Sequence, residues 1–202
     1  MTRDRARTFF LTAGLLLALA APASVRAAAP DLDDYGVIPG SLGGDFVLTN
    51  QHGKKAALKD FRGKVALIFF GYTFCPDVCP VTLAQMSAVH KALGAEWSGF
   101  QPLFVTIDPE RDTPPRLKAY LTNFDPAIVG LTGSARAVLN VSRLYRVKFA
   151  KREADSKTGY LLDHTGMLYM LDDQGQVRYV FPYDVGPEVL AAGARHLLKP
   201  KG

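Results

Sequence analysis

An α/β fold, with a central mixed β-sheet flanked by helices and entered through an N-terminal β-hairpin, is the architecture this sequence predicts. "KVALIFFGY" (Lys64–Tyr72) and "QPLFVTID" (Gln101–Asp108) are continuous apolar runs rich in β-branched and aromatic residues. Such runs suit strands covered on both faces. Segments with helical apolar spacing alternate with them, which is the order of an α/β sheet. At 202 residues and 48% hydrophobic, the chain can bury a core without covalent staples. Two cysteines are too few for a disulfide scaffold.

Taken in order, "DFVLTNQHGKKAAL" reads as a hairpin, with Phe46–Thr49 as its first strand and Asn50–Lys54 as its polar turn. The Lys64–Tyr72 strand follows. Pro80–Leu93 carries Leu83, Met86, Val89, His90 and Leu93 at helical spacing. After the Gln101–Asp108 strand, Asp112-Thr113-Pro114-Pro115 opens a helix to about Phe124, its prolines where a first turn tolerates them. "IVGLTG" is a short strand, and Ser134–Arg146 a helix with Ser134 as N-cap. Lys148–Lys151 reads as a strand edge. The mixed-charge run "KFAKREADSKTGY" (Lys148–Tyr160) reads as a solvated loop. "MLYML" and "QVRYVF" flank a Asp172-Asp173-Gln174-Gly175 turn as a second hairpin, and Pro187–Leu198 is a closing helix.

The N-terminus reads as an export segment. Arg3, Arg5 and Arg7 precede the uncharged "FFLTAGLLLALAAPA" (Phe9–Ala23), and Val25-Arg26-Ala27 or Ala27-Ala28-Ala29 offers small residues for cleavage. As a helix this run spans about 22 Å, short of the roughly 30 Å hydrocarbon core. A cleaved signal is therefore favoured over an uncleaved, tilted anchor. No cysteine sits just after the apolar run, so a lipid anchor on such a residue is not expected. Losing residues 1–29 removes Arg3, Arg5, Arg7, Arg26 and the one acid Asp4, so the net charge of +5 falls by three to +2. That balance makes no electrostatic case for nucleic acid. The expected organisation is a signal peptide or membrane anchor over 1–29, a Pro-, Gly- and Asp-rich linker over 30–44, and one domain over 45–199.

Both cysteines lie in "IFFGYTFCPDVCPVTLAQM", four apart at the exit of a buried strand, each followed by proline. Ligands and chemistry collect at the carboxyl ends of strands in such sheets. Helix-like chain between Cys75 and Cys79 puts them on one face, roughly 6 Å apart. A helix N-terminus also favours the thiolate. A disulfide, a redox couple and a soft-metal site all remain open at this point. Haem attachment needs two intervening residues and a following histidine, and structural zinc needs four protein ligands. Two thiolates completed by an imidazole suit monovalent copper.

Of the four histidines, His52 falls in a polar turn. His90 is three helical turns beyond Cys79, and His196 lies in the last helix beside Arg195 and Lys199. His164, flanked by Asp163 and Thr165 just before a strand, is the best third ligand. Asp163 is placed to orient it, and a mobile 148–160 segment would let it swing toward the cysteines. Asp77 offers either an extra oxygen to Cu(II) or a helix cap, and Met86 a core contact.

"GYTFCPDVCPVTLAQM", "VTIDPERDTP" and "DHTGMLYMLDDQGQ", in that order from about Gly44 to Leu198, resemble the SCO/SenC family of copper-binding, thioredoxin-like proteins. The resemblance implies a thioredoxin-like fold and one copper per chain, as Cu(I) or Cu(II). It implies Cys75, Cys79 and His164 as ligands, with Cys75 and Cys79 also a redox-active pair able to form a disulfide. It further implies an exported metallochaperone serving the CuA site of cytochrome c oxidase subunit II or another cuproprotein, at the periplasmic face, with a cell-envelope thiol reductant as a second partner. The alternatives are a thiol–disulfide oxidoreductase acting on partner cysteines, or a copper or redox sensor. Three residues between the cysteines, where the ordinary redox motif has two, argue against the oxidoreductase.

Overall fold

The computed structural model of the chain describes residues 31–38, 40–153 and 159–199. The expected export segment, residues 1–29, lies outside the described residues. Among the described residues, no helix is long and apolar enough to cross a membrane.

The elements are β1 (Val47–Asn50), β2 (Lys55–Ala57), β3 (Val65–Gly71), α1 (Val78–Leu93), β4 (Phe100–Thr106), α2 (Pro114–Leu121), β5 (Val129–Thr132), α3 (Ala135–Leu144), β6 (Phe149–Glu153), β7 (Tyr160–His164), β8 (Met167–Leu171), β9 (Val177–Pro182) and α4 (Pro187–Leu198). Seven strands form one mixed sheet in the order β2-β1-β5-β4-β3-β8-β9. β3, β4 and β5 run parallel, and β1 and β8 close them antiparallel on either side. This is the expected mixed sheet with its N-terminal hairpin, β1–β2.

Every residue of β3 is buried, because the strand is hydrogen-bonded on both edges and covered on both faces. Successive side chains go to opposite faces. Phe69 pairs in register with Phe104, whose ring meets Tyr120 of α2, and Gly71 backs onto Cys79 of α1. α4 joins α1 on this face: its Gly193 approaches Met170, the register partner of Leu67. Phe70 faces the other way, toward Tyr145 at the end of α3 and Tyr169 of β8. Ser134 caps α3 as expected, its hydroxyl accepting from the Ala137 N–H at 3.2 Å.

The lead-in segment packs onto the domain. A short 3-10 turn spans Asp33–Tyr35, the Tyr35 ring lies 4.8 Å from that of Phe181, and the Val37 N–H donates to the Arg178 carbonyl. The strand edge expected at Lys148–Lys151 is the start of β6, but the strand runs on to Glu153 and Tyr160 opens another, where the run otherwise reads as a solvated loop. β6 and β7 form a separate antiparallel pair, with Phe149 opposite His164 and Glu153 opposite Tyr160. Its charged outward side chains hide the alternation by which strands are read. Leu162 supplies the buried contact, and its N–H donates to the Tyr72 hydroxyl at 3.1 Å.

The loop between β4 and α2 holds the chain that follows β3. The fully buried Asp112 carboxylate accepts from the Thr73 N–H (2.9 Å), the Thr73 hydroxyl (2.7 Å) and the Thr106 hydroxyl (2.7 Å). Burial raises the Asp112 pKa, and these three donors work against that rise. Asp112→Ala strands three donors at once, each costing about 1–3 kcal/mol if left unmade and less where water enters. The expected loss is about 2–4 kcal/mol in urea denaturation. A loss under about 0.5 kcal/mol would show that the carboxylate does not hold this loop.

Candidate metal centre

The site begins where β3 ends. Cys75 follows the strand by four residues, its N–H donating to the Tyr72 carbonyl at 3.3 Å. Asp77 then takes the N-cap position of α1 and Cys79 enters the helix's first turn. Cys75 stands ahead of the helix rather than on its first turn, so the two sulfurs are brought together by the entry loop and not by helical periodicity. Cys79 is fully buried and Cys75 half-buried; neither is in a disulfide.

Gly71 makes the close packing possible. A Cβ built on it would lie 2.7 Å from the Cys79 sulfur and 2.9 Å from the Phe104 ring. That residue was not singled out from sequence; its position, last in a buried strand and just ahead of the cysteine segment, was the available signal.

His164 arrives from the other end of the domain as the last residue of β7. Its ring packs against Tyr72 (6.0 Å, edge-on) and Phe69 (6.2 Å). Nδ1 lies 3.1 Å from the Thr165 carbonyl, which can only accept, so Nδ1 carries the hydrogen. Nε2 is left facing Cys79 Sγ at 3.7 Å. Among the described residues, this is the group whose ligand atoms converge: both sulfurs and the imidazole nitrogen lie within 4.8 Å of one another. Such a set of two thiols and one imidazole is soft and suits copper.

The remaining candidates are elsewhere. Asp77 is exposed, makes no capping hydrogen bond and stands outside the converging group. Asp163 pairs with Arg152 at 3.2 Å. His90 Nδ1 is 2.6 Å from Asp125, and its ring stacks on Trp97 at 4.1 Å. His52 is exposed, His196 lies edge-on to Tyr179, and Met86 is fully buried in the core. Beside Cys75 and His164 opens a cleft of about 380 Å³, lined also by Tyr72, Pro76, Val78, Leu161 and Tyr183 among others.

The two thiols are electrostatically unequal. Cys75 accepts from the Cys79 thiol first, and from the backbone N–H groups of Asp77 and Cys79. These donors outweigh desolvation and pull its pKa down to about 4. The free N–H groups of a helix N-terminus act in the same direction. Cys79 is pushed far up, because its proton is held by the Cys75 thiolate and its site is buried. At neutral pH the apo site thus holds one accessible thiolate and one buried thiol, and a soft cation must displace the second proton.

Iodoacetamide alkylation, followed by mass spectrometry, should modify Cys75 alone. An acid group with a lowered pKa is ionised down to that pKa, so its rate should be flat from pH 8 to pH 6 and fall by half near pH 4. A rate still rising tenfold per unit toward pH 8 would show an ordinary thiol. Gly71→Ala should destabilise the apo protein by about 1–3 kcal/mol in urea, through overpacking against Cys79.

Comparison with known proteins matches this frame. The family model described as SCO1/SenC matches residues 38–199. A SCO2-like protein of Rickettsia felis is 35% identical over 175 residues, covering 86% of this chain and 84% of its own. The copper-bound structure of ScoI from Bradyrhizobium japonicum superposes with a TM-score of 0.72 at 40% identity, covering 78% of this chain and 99% of the other. Yeast Sco1 with copper bound gives a TM-score of 0.72 at 34% identity, covering 80% and 91%. The thioredoxin-like arrangement of those structures is the fold seen here, and the chain belongs to the SCO1/SenC family.

Proposed function

We propose that this protein is an exported copper metallochaperone. Cys75 Sγ, Cys79 Sγ and His164 Nε2 hold one copper ion, which passes to the CuA site of cytochrome c oxidase subunit II or to another cuproprotein. The observation that carries the reading is the convergence of these three soft donors within 4.8 Å, from segments 85 residues apart. Two thiolates alone satisfy Cu(I), which accepts low coordination, and the imidazole adds the nitrogen that suits Cu(II). Asp77, exposed beside Cys75, supplies an oxygen to Cu(II) if its side chain turns inward. The cleft leaves one side of the site open to a partner's ligands.

Release follows from the thiol chemistry. When the copper-bound thiolates of Cys75 and Cys79 give up two electrons to an oxidised partner such as a disulfide, the Cys75–Cys79 disulfide that forms removes two of the three ligands. A cell-envelope thiol reductant restores them by thiol–disulfide exchange. Residues 1–29 direct export, releasing the domain into the periplasm if cleaved or holding it at the periplasmic face of the inner membrane if retained as an anchor, with 30–44 leading into a functional domain over 45–199.

A second reading is supported by the inequality of the thiols. A half-exposed Cys75 thiolate beside a cleft, backed by a buried Cys79, is the arrangement of a dithiol reductant. Cys75 would attack a partner's disulfide, releasing one partner thiolate and forming a mixed disulfide. Cys79, on losing its proton, would then displace the second partner thiolate and close the Cys75–Cys79 disulfide.

Anaerobic titration of the reduced protein with Cu(I), against a chromophoric chelator, should give one tight equivalent. Cys75→Ser and Cys79→Ser should each weaken it by about 100-fold or more, and His164→Ala by about tenfold. Asp77→Ala should leave Cu(I) binding unchanged and alter only the Cu(II) spectrum. Cu(I) and Cu(II) binding both indifferent to His164 would leave the dithiol reductant as the function.

A further inference from the structure

β7 belongs to neither edge of the seven-stranded sheet: its ladder partner is β6. His164 is therefore tied to the main sheet on its C-terminal side by the short step to β8, whereas the start of β7 depends on side chains. The contacts made there converge on the β4–α2 loop, Asp108-Pro109-Glu110-Arg111-Asp112, a motif that supplies no ligand to the metal centre.

Arg111 is the residue of that loop that touches both halves of the site. Its guanidinium lies 3.6 Å from the centroid of the Tyr160 ring, and Nη1 donates to the Tyr160 carbonyl at 2.9 Å. Tyr160 opens β7, the strand that ends at His164. The same guanidinium lies 4.6 Å from the centroid of Phe74, the residue before Cys75. Nε is ion-paired with the buried Asp108, which also accepts the Tyr160 hydroxyl at 2.8 Å. Arg116 lies 4.6 Å from the same Phe74 centroid, and Lys151 of β6 pairs with Glu110 at 2.9 Å. A planar fork can stack on a ring and donate in its own plane at once; an ammonium cannot.

We propose that Arg111 is a positioning residue for the third ligand: it pins the start of β7 to the segment that carries the cysteines, and so holds His164 Nε2 at the distance the ion requires. This rests on the copper reading above. The sulfurs do not depend on the pin, because both sit on α1 and its entry turn, where Asp112 and Gly71 set the chain. Loss of the pin therefore loosens the imidazole and spares the thiolates. Cu(I), held mainly by the two sulfurs, is the less sensitive to that loss; Cu(II), which draws more on the nitrogen, is the more sensitive.

The test compares the full protein with Arg111→Ala, Arg111→Lys and Tyr160→Phe, the last keeping the ring and deleting the hydroxyl that reaches Asp108. In the apo proteins, amide hydrogen exchange at Leu161–His164 should quicken about tenfold or more in Arg111→Ala, less in the two conservative variants, with β3 amides unchanged. In the loaded proteins, Cu(II) affinity should fall about tenfold in Arg111→Ala, with nitrogen coupling lost or broadened in the electron paramagnetic resonance spectrum, while Cu(I) affinity changes less than threefold. Unchanged exchange in β7, or exchange quickened equally in β3 with both copper affinities falling together, would overturn the proposal. If Arg111→Ala does not fold, Arg111→Lys and Tyr160→Phe decide it by the same criteria. Failure of the unsubstituted protein to bind copper would overturn the copper reading and the ligand role, and the apo exchange would still show whether Arg111 pins β7.

Discussion

Everything in this domain is arranged around the complete burial of β3. Hydrogen-bonded to β4 on one side and β8 on the other, and covered by helices on both faces, the strand has no backbone group left for water or ligand until it ends at Gly71. Unpaired backbone is costly inside a protein, so chain that leaves the sheet must be satisfied by turns, caps and side chains. The segment from Tyr72 to Cys79 is satisfied in that way. Thr73 is bonded to Asp112, Cys75 closes back on the Tyr72 carbonyl, and the first N–H groups of α1 turn toward the Cys75 sulfur. The metal centre is the place where a buried strand stops needing a sheet.

That origin explains why the two thiols differ. Cys79 is a core residue that packs on Gly71 and Phe104, whereas Cys75 sits at the mouth of a helix among donors, facing a cleft. A site with one thiolate formed in advance and one proton still to lose can capture a soft cation quickly and hold it with both sulfurs. The same inequality allows the pair to act as an electron donor to a disulfide. The proposed copper delivery and thiol reduction would be two uses of one electrostatic arrangement, and the imidazole is the part that only the first would need.

The imidazole reaches the sulfurs by another route. β7 lies outside the main sheet, so its register is set by β6 and its position by tertiary contacts: the Tyr72 hydroxyl on Leu162, and Arg111 with Asp108 on Tyr160. The aromatic rings of Phe69 and Tyr72 then set the tilt of His164. Two of the three converging groups thus lie together at the entry to α1, and the third is delivered by packing.

How much of this was legible in advance follows the same division. The apolar runs of β3 and β4, the helical spacing of α1, the Ser134 cap and the two hairpins of the main sheet are local patterns, written in residues close together in sequence. The closeness of Cys75 to Cys79 is also local, because only three residues separate them at the entry to α1. The strand nature of β7 was hidden, since an exposed two-stranded pair with charged side chains lacks the alternation by which strands are read. By itself the sequence determined the α/β class, the strand exit that carries both thiols and the choice of His164 over three other histidines. The tertiary structure alone decided that Cys75 is the thiolate and Cys79 the buried thiol, that Gly71 must lack a side chain, and that Arg111 and Asp112 hold the site's two halves. Those properties depend on burial and on which groups meet in three dimensions, Thr73 with Asp112 and Arg111 with Phe74 and Tyr160 among them, and they are set only once the sheet has closed.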